Sequence, residues 1–87
     1  MLKIKEGFIL RQIAGENIVV PSGKDLDLNM MINLNDTGRF LWEHMQKETT
    51  EQALTAALLE EYDVTEEKAK ASVAAFIEKL RGYDVLA

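Results

Sequence analysis

The sequence predicts an α+β fold in which a three-stranded antiparallel sheet is followed by three helices. Strand-like segments fill residues 7–34, whereas apolar residues recur at helical spacing beyond residue 36. Almost no loop separates the last predicted strand from the first predicted helix in the segment 32–43. A small sheet beside a helical layer has an open strand edge, and an open edge can receive a peptide.

The first two strands are predicted to form a hairpin. Residues 7–14 are strand-like, and Asn17 begins a β-branched run that ends at Pro-Ser-Gly, 21–23. Gly15, with Glu16 and Asn17, supplies the polar turn between them. Two such runs across a short turn are typical of antiparallel neighbours.

The third strand is predicted over residues 28–34. Its even positions are all apolar, so this face is expected to pack inward, and its odd positions point the other way. The inward set is Leu28, Met30, Ile32 and Leu34, and the outward set is Asn29, Met31 and Asn33.

The first helix is predicted to be capped by Asn35 or Asp36 and to run to about Lys47. Its buried stripe contains Leu41 and Met45, and neighbouring aromatic residues widen the apolar arc. A glycine inside a helix costs about 1 kcal/mol relative to alanine. We therefore expect another backbone to approach closely at Gly38.

Two further helices are predicted downstream. Thr49 and Gln52 match a capping box for the second helix, which runs to about Tyr62. Thr65 caps the third helix, and Gly82 is expected to end it. The predicted core stripes contain Leu54, Ala57, Leu58 and Tyr62 in the second helix and Ala69, Val73, Phe76, Ile77 and Leu80 in the third, with Val85 and Leu86 folding back onto the core.

Composition indicates a soluble globular protein that forms one domain over residues 1–87. Hydrophobic residues make up 47% of the chain and charged residues 29%. The absence of cysteine excludes disulfides and thiolate sites and agrees with a cytoplasmic location. The N-terminus has no secretory h-region, and no apolar run approaches the roughly 20 residues that a membrane span needs.

The formal net charge of −5 falls entirely in the helical half of the chain. Residues 1–35 carry four basic and four acidic side chains, whereas residues 36–87 carry six basic and eleven acidic ones. A surface of this kind repels phosphate backbones. The sequence therefore predicts no nucleic-acid partner.

No catalytic or metal-binding pattern emerges from the sequence. His44 is the only histidine, and with Glu48 at i+4 it offers two ligands, fewer than catalytic zinc usually takes from a protein. Ser22 and Ser72 lack a nucleophile-elbow context. We expect no enzyme activity, no metal and no cofactor.

One alternative comes from the order of the elements, since strands plus three helices can build a winged helix-turn-helix. The third predicted helix carries four basic residues, Lys68, Lys70, Lys79 and Arg81. It also carries three acidic ones, and the second helix has no basic residue. A regulatory helix-turn-helix module acting through DNA or a protein interface remains the alternative, although an acidic helical half is a poor DNA footprint.

Three segments and a short apolar tail together resemble the PqqD family, the small domains called RiPP recognition elements. The segments are the hairpin FILRQIAGENIVVP, the strand-to-helix junction MINLNDTGRFLWEHM, and the helical segment TTEQALTAALLEEYDVTEEKAKASVAAFIEKL. The specific part is the combination of LN-x-TG-x-x-LW with LxEEYDV. The resemblance covers nearly the full length.

The resemblance implies a winged helix-turn-helix-like, non-catalytic domain that binds the leader segment of a ribosomally made precursor peptide. Such domains present the peptide to a modifying enzyme, often a radical SAM protein. The leader adds as a strand along the third strand and lies against the third helix. Carried onto this chain, the peptide-binding residues are Met31, Ile32, Asn33, Leu34, Ser72, Ala75, Phe76 and Lys79. Many family members have an acidic residue at the position of Ser72.

The oligomeric state stays open at this point. An edge that takes a leader can also pair with a second copy, so both a monomer and a strand-exchanged homodimer are compatible with the sequence.

Overall fold

The computed structural model describes residues 1–21 and 31–87. Within these ranges three strands precede three helices, which confirms the predicted α+β fold. The strands are β1 (Phe8–Ile13), β2 (Glu16–Pro21) and β3 (Ile32–Leu34), and the helices are α1 (Asp36–His44), α2 (Glu51–Glu61) and α3 (Glu66–Gly82).

The sheet is antiparallel with the order β1-β2-β3. Ala14 and Gly15 form the two-residue connection of the hairpin, and both have positive φ, 52° and 81°. Positive φ at both central residues is what a type I′ turn requires. The turn therefore lies one residue earlier than predicted, and Glu16 and Asn17 belong to β2.

Side chains of β3 alternate as predicted. Ile32 is 0% exposed and Leu34 is buried, whereas Met31 and Asn33 are exposed. Met31 precedes β3 rather than forming part of it. The remainder of the predicted third strand, residues 28–30, lies outside the described residues.

Each helix begins at a polar cap whose side chain accepts a main-chain N–H. Asn35 accepts from Gly38 N at 2.7 Å, and Thr65 caps α3 as predicted. The cap of α2 is Thr50 instead of Thr49. The reason is that the N–H and C=O of Thr49 both pair with Leu2, which holds Thr49 in an extended bridge before the helix.

The core lies between the inner face of the sheet and the helices. The predicted stripe of α3 is entirely buried, and Leu54 and Leu58 of α2 are buried with it. Helix α1 ends at His44, earlier than the predicted Lys47, yet it contributes Leu41 and Trp42 to the core. The central residues of this core are Val19, Ile32, Leu41, Met45, Leu54, Leu58, Val73, Leu80 and Val85.

The two chain termini pair with each other and with the end of α1. Val85 is 0% exposed and its carbonyl accepts from Lys5 N, so the tail folds back as predicted. The residue that turns the chain after α3 is Asp84, with a φ of 56°, whereas Gly82 is still helical. The tail therefore pairs with the N-terminal segment and not with β3, as the bridge between Ile4 and Leu86 indicates.

Gly38 marks a close approach in the first turn of α1, although not by another backbone as predicted. A Cβ at this position would lie 3.1 Å from Oδ1 of Asn35 and 3.4 Å from both Cβ of Leu34 and Cε1 of Phe76. The approaching groups are side chains. The glycine thus allows the start of α1 to lie against α3.

Candidate functional site

Among the described residues the outer side of β3 is an edge of the sheet, and Asn33 directs its main-chain groups outward there. Ile13 and Glu16 flank the two-residue turn, so they exchange both hydrogen bonds, and alternation then turns Ile18 toward β1. Asn33 lies opposite Ile18 and must therefore face away from β2. Consistent with this direction, its carbonyl accepts a hydrogen bond from Nζ of Lys79 on α3 at 2.8 Å.

A groove of about 500 Å³ runs beside this edge. Its walls come from the end of β3, the first turns of α1 and one face of α3. The lining residues are Asn33, Leu34, Asn35, Thr37, Gly38, Leu41, Ser72, Ala75, Phe76 and Lys79. An extended peptide placed here would meet main-chain groups on one side and side chains on the other.

The α3 wall is formed by residues at helical spacing. Ser72, Ala75, Phe76 and Lys79 recur at intervals of three and four, so they share one face of the helix. Ser72 and Ala75 are small and exposed, which keeps the groove open. Phe76 is only 8% exposed and forms an apolar floor. This surface is suited to apolar side chains of a bound chain.

Six of the eight predicted binding residues line the groove. They are Asn33, Leu34, Ser72, Ala75, Phe76 and Lys79. Met31 is exposed just before β3 but is not part of the lining. The main chain of Ile32 pairs with Val19, and its side chain is buried in the core. Neither the main chain nor the side chain of Ile32 therefore faces the groove.

The α1 wall was missed by the sequence reasoning. Asn35, Thr37, Gly38 and Leu41 line the groove because the first turns of α1 follow β3 without a loop. The signal was present in the spacing, since Gly38 and Leu41 lie three residues apart and therefore share one face of α1. The predicted site takes only the strand part of this junction, Met31 to Leu34, and none of the helix residues that follow it.

Lys79 is the one charged residue in the groove lining, counting only the described part of the chain. None of the three acidic side chains of α3 lines the groove, and two of them form ion pairs on the same helix, Glu66 with Lys70 and Glu78 with Arg81. The groove lining therefore carries a single positive charge in a chain whose net charge is −5.

Residues 1–21 and 31–87 were searched for metal-ligand clusters and for membrane-spanning helices. Within these ranges no three His, Cys, Asp or Glu side chains cluster as metal ligands, and no helix has the length and apolarity to cross a bilayer. The His44 ring stacks on Phe40, with ring centroids 4.3 Å apart, and its Nδ1 lies 2.9 Å from the Phe40 carbonyl. Because α1 ends at His44, Glu48 is not one helical turn away as predicted.

Comparison with known proteins identifies the family. The family model described as coenzyme PQQ synthesis protein D (PqqD) matches residues 16–86. The chain therefore belongs to the PqqD family, which confirms the resemblance seen in the sequence. A comparison with curated proteins gave no match.

A solved structure shares the fold. It is the structure of TbiB1 in complex with the TbiA(beta) leader peptide, with a TM-score of 0.76 and 18% sequence identity. The alignment covers 97% of this chain and 93% of that one. At this level of identity the likeness concerns the fold.

Proposed function

We propose that this protein binds the leader segment of a ribosomally made precursor peptide and has no catalytic role of its own. The leader adds as a strand to the outer edge of β3 and packs its side chains into the groove against α3. The observation that carries the proposal is the outward-facing main chain of Asn33 beside that groove. Strand addition gives affinity through main-chain hydrogen bonds and specificity through side-chain pockets.

Two comparisons support the proposal independently of the groove. The chain belongs to the PqqD family, and TbiB1, which has the same fold, is found in complex with a leader peptide. Within a pathway, the protein would hold the precursor for a modifying enzyme, which we propose to be a radical SAM enzyme. We place this partnership in the cytoplasm.

The DNA-binding alternative fits the structure less well. Two of the four basic side chains on α3, Lys70 and Arg81, are paired with glutamates on the same helix. A third, Lys79, donates a hydrogen bond to the carbonyl of Asn33 in β3. A helix that reads DNA needs such groups free for phosphates and base edges.

A pair of proline substitutions tests the proposed mode. Asn33→Pro removes an outward N–H at the β3 edge, where no ladder hydrogen bond is lost. Gln12→Pro is the matched control, because Gln12 lies opposite Asn17 in β1 and faces outward at the other edge. The probe is a display library of random peptides of about 12 residues, roughly 40 Å when extended.

We expect the wild type and Gln12→Pro to enrich the same peptides and Asn33→Pro to enrich none of them. Amide shifts in the wild type should then concentrate at Asn33, Leu34 and the groove face of α3. Circular dichroism must show both variants folded. Shifts that leave β3 and α3 silent, or equal enrichment by both variants, would remove the basis for strand addition.

A further inference from the structure

The carbonyl that a guest strand needs is already occupied in the free protein. The Lys79 ammonium donates to the Asn33 carbonyl at 2.8 Å, across 46 residues of sequence. Lysine is among the residues that protect exposed sheet edges from unwanted pairing. A guest strand on β3 must donate one of its own N–H groups to this carbonyl, and it then displaces the ammonium or crowds it.

The Lys79 ammonium forms no ion pair with a carboxylate within the described residues. The ion pairs formed there involve Lys5, Arg39, Lys70 and Arg81, and Lys79 is not among them. The groove lining offers asparagine, serine and threonine side chains but no acidic one. A bound guest would also shield the ammonium from water, and a shielded charge is costly unless it is paired.

We propose that Lys79 is a specificity-determining residue that selects guest peptides with an aspartate or glutamate. The proposal rests on the function proposed above and names the class of peptide that the groove prefers. The acidic side chain lies on the helix-facing side of the guest, next to the residue that donates to Asn33. In that position its carboxylate forms an ion pair with the Lys79 ammonium, which the guest strand has displaced from the Asn33 carbonyl.

The sign of this preference is informative because the protein as a whole is acidic. A net charge of −5 disfavours acidic guests at long range, so a preference for them must come from a local contact. A contact of this kind weakens with added salt, since ions screen the pair when it is only partly buried.

The experiment repeats the library selection with four proteins: the wild type, Lys79→Met, Lys79→Glu and Lys70→Met. Methionine keeps an apolar chain of similar length and removes the charge. Lys70 lies on the same helix but pairs with Glu66 and does not line the groove, so Lys70→Met is the matched control. Both lysines are exposed, and these substitutions should leave the fold intact. Selected peptides are then compared with copies in which the acid is replaced by its amide.

We expect peptides selected on the wild type to share an acid at a fixed distance from their apolar positions. Replacing that acid by its amide should weaken binding about tenfold for the wild type and for Lys70→Met, and less than about twofold for Lys79→Met. Lys79→Met should also bind the amide copy more tightly than the wild type does, because no ammonium competes with the guest for the Asn33 carbonyl. Lys79→Glu should select a lysine or arginine instead.

Three results would overturn the inference, and the third would also refute the proposed function. If wild-type peptides bind in the groove without an acidic position, or if Lys79→Met keeps the same acid preference, the role of Lys79 is refuted and leader binding stands. If the wild type enriches no peptide at all, the proposed function itself fails and the inference falls with it.

Discussion

Gly38 of α1 lies against Phe76 of α3 so closely that a Cβ at position 38 would be 3.4 Å from Cε1 of the ring. The same Cβ would be 3.1 Å from Oδ1 of Asn35, the acceptor that caps α1. The absence of a side chain at position 38 therefore leaves room both for the Asn35 cap and for the Phe76 ring that forms the floor of the groove. The tolerance of this position to substitution depends on which of these neighbours has to move.

We expect Gly38→Ala to be nearly neutral in the wild type, because about 1 kcal/mol of helix propensity is offset by crowding of the cap. Asn35→Ala alone should cost about 1 kcal/mol through the lost cap. In the Asn35→Ala background the tightest contact is gone, so Gly38→Ala should stabilise by about 1 kcal/mol. Urea unfolding followed by fluorescence of the single, buried Trp42 measures all four proteins. Additive effects would show that Asn35 is not the limiting neighbour.

The hairpin turn offers a substitution that should stabilise the protein. Ala14 has a φ of 52°, which costs a residue with a Cβ about 1 kcal/mol or more. Asparagine tolerates this conformation, and Asn-Gly is the preferred pair for such a turn. Ala14→Asn should therefore raise the free energy of unfolding by about 0.5–1 kcal/mol, as measured by urea unfolding. Ala14→Val should lower it, because a β-branched residue fits positive φ poorly. Equal effects of the two substitutions would contradict this explanation.

Periodicity predicted the elements well because burial imposes a repeat that the sequence displays. The five residues of the α3 stripe and the inward pair Ile32 and Leu34 are all buried, as their spacing indicated. The cap of α2 was misplaced by one residue, because two adjacent threonines satisfy the same local pattern. The choice between them is made by Leu2, far away in the chain, which pairs with Thr49.

The candidate site was only partly predictable for a similar reason. The α3 wall follows from one helix face, and the β3 edge follows from strand order. The hydrogen bond from Lys79 to the Asn33 carbonyl joins two residues 46 positions apart, and no local pattern encodes it. Gly38 was recognised as unusual, but its neighbour Phe76 is identified only by the packing of α1 on α3.

The folded-back tail should contribute strongly to stability. Val85 is fully buried, and its carbonyl accepts from Lys5 N. Val85→Ala should therefore cost about 2 kcal/mol through the methyl groups removed and the cavity left behind. In a chain of this size that corresponds to a fall in Tm of about 10 °C. Calorimetry can compare it with Val64→Ala, at an exposed residue, which should change Tm little. A similar small change for both would mean that the tail is not part of the cooperative fold.

Filling the groove should weaken peptide binding without unfolding the protein. Ala75 is exposed and lines the groove, so a tryptophan at this position occupies the space where guest side chains would pack. Ala75→Trp should weaken binding of library-selected peptides by at least about tenfold, or about 1.4 kcal/mol. Its free energy of unfolding should change by less than about 0.5 kcal/mol, since no core contact is altered. Titration calorimetry gives the affinity, and urea unfolding gives the stability.

The neighbouring alanine provides the control for this prediction. Ala74 is also exposed but lines a separate cleft between α2 and α3, together with Leu59 and Thr55. Ala74→Trp adds the same bulk to the same helix, about 100° around its axis, and should leave the affinity unchanged. If Ala74→Trp weakened binding and Ala75→Trp did not, the guest would lie in the cleft between the two helices. Strand addition to β3 would then be wrong, because the described residues that line that cleft all belong to α2 and α3.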